Sequence, residues 1–206
     1  MERRLLKHVQ NFWFLLITFG TGLFYFCFYL VSLIFGLSLS FTLIGIPLLK
    51  NIMRTTQTFT QYERIQTKLY TDISIEPYPG KTLAEGSVWL QAKEELLDPV
   101  NWKAIQWLML KFLLGLVCLV GAFVLYLSPL IMILAPLMLH YVDMYIVVPI
   151  DTLFKSLIVM AIGFICVFAG GKLGSLLVRL AGGYTRGMFQ ALNRTDRRKN
   201  WDVFSR

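Results

Sequence analysis

Residues Phe12–Leu49 read FWFLLITFGTGLFYFCFYLVSLIFGLSLSFTLIGIPLL, 38 residues without one charged side chain. A spanning helix takes about 20 apolar residues, so the stretch is too long for one crossing and nearly long enough for two. Lipid offers no hydrogen bonds to bare backbone, which makes a helical hairpin the closed solution. Gly36-Leu37-Ser38 supplies a glycine-centred turn. The reading predicts transmembrane helices over 12–35 and 38–53, the first about 36 Å long. Pro47 then falls late in the second helix, where the carbonyl it frees needs cover from a neighbour.

Composition points the same way. Of 206 residues, 56% are apolar and only 16% charged, which sets aside an ordinary soluble domain. The net charge of +8 gathers at the two ends. Orientation and anionic headgroups account for that better than nucleic acid, which is not expected as a partner. Cys27, Cys118 and Cys166 each lie in an apolar run without an x-x-Cys mate, so neither a disulfide framework nor a zinc site is expected. The first apolar run far exceeds a signal-peptide core of about 7–15 residues and no A-x-A site follows it.

Arg3, Arg4 and Lys7 place the N-terminus in the cytoplasm by the positive-inside rule, and Lys50 and Arg54 mark the landing of the second helix. That helix is expected to continue as an amphipathic extension, with Ile52, Phe59, Tyr62, Ile65 and Leu69 forming one apolar stripe. Pro77, Pro79 and Gly80 break it. A second amphipathic helix follows over 86–97, with Val88, Trp89, Ala92, Leu96 and Leu97 on a shared face. Residues 54–101 are read as a small cytoplasmic helical lobe, too small for an independent enzyme domain. Asp98 or Asn101 caps the third crossing, 102–127. Trp89, Trp102 and Trp107 suit interfacial anchors, and Lys111 is expected to snorkel to the interface.

Ser128-Pro129 is expected to interrupt the third helix. Residues 128–152 form an outer segment, re-entrant or part of a long kinked helix, with no Lys or Arg. The fourth crossing covers 153–171, and 172–206 is a basic cytoplasmic tail. The expected fold is thus all-α: a polytopic four-helix transmembrane bundle, as a single membrane domain over 1–206, with both termini cytoplasmic. Gly22-Leu23 leading to Pro47-Leu48 is echoed by Gly115-Leu116 leading to Pro136-Leu137, a weak internal repeat. Gly22, Gly45, Pro47, Gly115 and Pro136 are accordingly the expected helix-packing positions. Gly20, Gly36, Gly121, Gly163, Gly170 and Gly171 also permit close, shiftable contacts.

The stretch from Gly20 to Leu49, the D-P-x-x-W step at Asp98, Pro99 and Trp102, the K-F-x-L-G step from Lys111 to Gly115, the A-P-L step at Ala135–Leu137, and the I-D-T-L start at Ile150–Leu153 follow in order. Together they resemble the bacterial "putative sensor" membrane domain family over roughly residues 10–192. The resemblance implies a sensing module of the inner membrane, found in histidine kinases and as a standalone protein beside regulators or transporters. No phospho-acceptor helix or ATP domain follows here, so output is expected to pass through a separate partner.

No catalytic constellation is present: no G-x-S-x-G, H-E-x-x-H, P-loop or Cys/His pairing. No cofactor or metal is expected. His140, Asp143 and Asp151 form a candidate outer sensing cluster, able in principle to report pH or hold a cation. The favoured function is a non-enzymatic sensor relaying membrane or amphiphile state. The alternative is an accessory subunit of a transporter or larger complex. The lipid bilayer is one partner, and a regulator, kinase or transporter ATPase or permease the other. The oligomeric state stays open.

Overall fold

The computed structural model describes residues 2–39, 45–71, 73–76, 88–138 and 153–204, and all regular structure among them is helical. Helix α1 is Glu2–Ser38, α2 Gly45–Tyr70, α3 Val88–Leu97, α4 Pro99–Ala122, α5 Ser128–Met138 and α6 Leu153–Phe204. A π-helical turn, Phe123–Leu127, joins α4 to α5. Among the described residues three stretches are long and apolar enough to cross a bilayer: Leu6–Ser38, Pro99–Leu137 and Phe154–Arg198. This is a membrane protein.

Several boundaries differ from the sequence reading, each for a local reason. The turn expected at Gly36 is helical, and α1 runs on to Ser38. A Cβ on Gly36 would sit 2.6 Å from Leu49 Cδ2, so this glycine is where α2 packs on α1. Pro47 lies in the first turn of α2, not late in a crossing. There its missing N–H has no intrahelical acceptor in any case, and no carbonyl is stranded. The α2 helix is not among the three long apolar stretches, because it turns polar after Met53.

Ser128-Pro129 does not interrupt the helix. The Ser128 N–H donates to Phe123 O, five residues back, and the chain stays helical to Met138. Pro129 has no N–H for Leu125, four residues earlier, and the wider π turn relieves the ring–carbonyl clash of α geometry. Finally, the expected crossing 153–171 and tail 172–206 form one helix of 52 residues, about 78 Å long at 1.5 Å per residue.

The chain divides into two compact units. The first contains Met1–Ile17 and Leu116–Arg179. Glycines on α6 let its backbone approach its neighbours: Gly163 lies against Met132 and Ile133, Gly170 against the Leu125 carbonyl, Gly171 against His8 and Gly174 against Tyr126. Asn11 Nδ2 donates to Ser175 Oγ at 3.2 Å, and Ser175 Oγ donates to Gly171 O at 2.9 Å.

The second unit contains Thr18–Gly115 and Leu180–Arg206. Its core gathers Tyr25, Tyr29, Leu49, Ile52, Met53, Val100, Ile105, Leu108, Phe189 and Leu192. Here α1 and α2 are antiparallel, as Gly36 meets Leu49 and Tyr29 OH donates to Thr56 Oγ1 at 3.0 Å. Helices α1 and α4 are antiparallel too: Gly22 faces the Lys111 carbonyl and Gly115 faces Phe19. Four alternating crossings would have made the 12–35 and 102–127 helices run in the same sense.

Helix α3 packs on α2, with Lys50 Nζ donating to Gln91 Oε1 at 2.5 Å. Asp98 caps α4, its Oδ1 accepting from Val100 N–H at 3.2 Å. Pro99 occupies the first helical position, where proline's fixed φ is already suitable.

A buried ion pair where three helices meet

In α2 the inward face is the polar one. Thr56, Thr60, Glu63 and Thr67 are buried, at helical spacings of four, three and four. The expected apolar stripe splits: Ile52 is buried and Phe59 packs against the core, whereas Tyr62, Ile65 and Leu69 are turned outward, at 59%, 50% and 68% exposed. The expected inward packing therefore holds for the first half of the stripe and fails for the second. A threonine stripe tolerates burial because each hydroxyl can donate to the carbonyl four residues back. Thr56 does so to Ile52 O at 3.0 Å and Thr60 to Thr56 O at 2.8 Å. What then faces the core is a row of methyl groups and one carboxylate.

That carboxylate meets Lys111. Lys111 Nζ lies 2.5 Å from Glu63 Oε2, with the two side chains 4% and 2% exposed. Lys111 Nζ also donates to Thr21 Oγ1 at 2.9 Å and sits 5.8 Å from the centroid of the Tyr25 ring. Helix α1 supplies the hydroxyl and the aromatic face, α2 the acid and α4 the base. Lys111 therefore does not snorkel to an interface: a partner inside the unit holds it. The Tyr25 hydroxyl is also close enough to the Glu63 carboxylate to interact with it. The approach of α1 to α4 beside the pair depends on missing side chains. A Cβ on Gly22 would lie 2.9 Å from Lys111 O, and one on Gly115 2.9 Å from Phe19 Cα.

Such a node performs no bond chemistry by itself. Taking each ion out of water costs several kcal/mol, about what a well-formed pair repays. Its physical effect is to fix which faces of three helices meet. Of the two, Lys111 lies within a stretch able to span the bilayer, where an ionisable group points to function.

The other sequence-derived positions are dispersed. Trp89 is 61% exposed on α3. Trp102 is partly exposed and donates from Nε1 to Leu96 O at 2.6 Å, stitching α3 to α4. Trp107 packs on Tyr184, ring centroids 5.0 Å apart, and its carbonyl accepts from Tyr184 OH. Gly45 is buried at the start of α2, Pro47 is exposed, and Pro136 is half-buried inside α5. Gly20 has open space where close contact was expected. The cluster His140, Asp143 and Asp151 lies outside the described residues. Among the described residues no group of three or more His, Cys, Asp or Glu could hold a metal ion.

Sequence reasoning missed Glu63. The signal was present: a polar stripe with helical period carrying one acid, and one lysine inside an apolar run that needed a partner.

The long apolar helices define a helical membrane protein. The chain belongs to the "Putative sensor" family, whose sequence profile matches residues 14–189. No curated protein and no solved structure matches it.

Proposed function

We propose that the protein is a non-enzymatic sensor of the bacterial inner membrane that relays membrane or amphiphile state to a separate partner. The observation that carries this reading is the Glu63–Lys111 pair, with Thr21 completing it from a third helix. A buried pair favours one helix arrangement sharply, because any shift that parts the charges leaves both desolvated. An input that binds a second arrangement better moves the population by its differential affinity and no more.

The end of the unit built by the start of α2, α3, the start of α4 and the end of α6 carries Lys50, Lys93, Lys103, Arg194 and Arg198, and we assign it to the cytoplasm. Because α1 is antiparallel to α4 in this unit, its Ser38 end belongs to the same face. The N-terminus of a once-crossing α1 then lies outside, a different reading from two cytoplasmic termini.

The test places spin labels at Thr58 and Leu113, both exposed, and reads their separation in nanodiscs of varied lipid composition and with added amphiphiles. A composition-dependent second distance supports the sensor. The double variant Glu63→Leu/Lys111→Met is expected to blur that switch. One unchanging distance under all conditions would sink the reading. A stable partner recovered in mild detergent whatever the lipid would then favour the accessory subunit, docked on the exposed Tyr62, Ile65 and Leu69 stripe.

A further inference from the structure

We infer that the pocket between the α3–α4 junction and the end of α6 binds the phosphodiester headgroup of an anionic phospholipid. The pocket has a volume of about 820 Å³ and is built by Leu96, Leu97, Trp102, Lys103, Arg194 and Arg198, among others. Among the described residues no carboxylate lines it. Arg194 and Arg198 are four residues apart on α6, so their guanidinium groups share one face. Among the described residues neither has an ion-pair partner. Lys103 Nζ donates to Thr195 Oγ1 at 3.0 Å, which draws the lysine toward the two arginines. Three cations gathered with no described acid among them repel one another, and an anion relieves that repulsion. The guanidinium fork suits phosphate oxygens in particular.

The apolar part of the lining favours lipid over a free anion. Leu97 is 71% exposed, and the Trp102 indole is pinned by its hydrogen bond to Leu96 O. An amphipathic aromatic beside an exposed leucine suits the glycerol and first acyl carbons just below a headgroup. The site goes beyond the sensor reading and does not rest on it, since binding can be read without any signal.

The test uses full-length protein in a nonionic detergent with equimolar phosphatidylglycerol and phosphatidylcholine, and native mass spectrometry counts the lipid retained. Each basic residue near a bound anionic lipid contributes about fivefold. The wild type is therefore expected to prefer phosphatidylglycerol by at least about tenfold. The triple variant Lys103→Gln/Arg194→Gln/Arg198→Gln is expected to lose that preference, while Arg54→Gln/Arg64→Gln/Lys68→Gln, with the same charge removed from α2, keeps it. Equal loss in both triples, or no preference in the wild type, overturns the proposal. Displacement of the lipid by millimolar inorganic phosphate or by a polyglutamate peptide also overturns it, in favour of a free anion or an acidic protein. Should the triple variant fail to give a monodisperse protein, the single exposed change Arg198→Gln decides: a several-fold loss supports the site, and an unchanged ratio overturns it.

Discussion

Glu63 and Lys111 are worth more to specificity than to stability. Removing one partner of a buried pair strands the other, at a cost of about 3–5 kcal/mol, whereas replacing both with apolar residues is close to neutral. Lys111→Met and Glu63→Leu are each expected to lower the free energy of unfolding in detergent by about 3–5 kcal/mol. The double variant should recover most of the loss, a strong coupling in the double-mutant cycle. Additive single effects would show the two charges to be independent. Lys111 was legible in the sequence as an isolated charge in an apolar helix, and a partner was required. Naming that partner needed the run direction of α2 past α4, which depends on contacts far apart in the chain.

At the scale of elements, glycine position decides how closely helices approach. Gly115→Leu puts a side chain into the backbone of α1 at Phe19 and is expected to cost about 1–3 kcal/mol or more. Gly20→Ala has open space and should stabilise α1 by up to about 1 kcal/mol through helix propensity. The same unfolding assay compares the two.

For α3, the buried residue is Ala92, with no exposed surface, while Trp89 points outward. Ala92→Glu should therefore free the helix and raise protease cleavage in residues 71–87, and Trp89→Glu should leave cleavage unchanged. The existence of α2 and α3 was plain from apolar periodicity. The face that each buries was not, because periodicity alone does not say which side of an amphipathic helix is the core.

For the whole molecule, membrane character follows from uncharged runs that no soluble core requires. The course of those runs was harder to read. Glycine and proline suggest breaks at Gly36 and Ser128-Pro129, yet both lie inside helices, one packed against Leu49 and the other accommodated by a π turn. The antiparallel run of α1 and α4 yields a topology test with single cysteines and an impermeant thiol reagent on intact cells. Cysteine at Thr195 is expected to stay unlabelled and cysteine at Leu6 to label. Labelling at Thr195 would reverse the assignment of the cationic face, and protection at Leu6 would show that α1 does not cross once.

The ion pair also imposes a timetable on biosynthesis. Glu63 and Lys111 are 48 residues apart, so at about 5–20 residues per second the acid is made roughly 2–10 seconds before its base. Until then α2 carries a carboxylate with no cation to meet, and it cannot be buried at low cost. The expected order is that α1 enters the membrane first, α2 waits in an accessible state, and α4 brings it in. Ribosome-stalled chains ending before Lys111 should then expose α2 to protease, and chains long enough to release the whole of α4 should protect it.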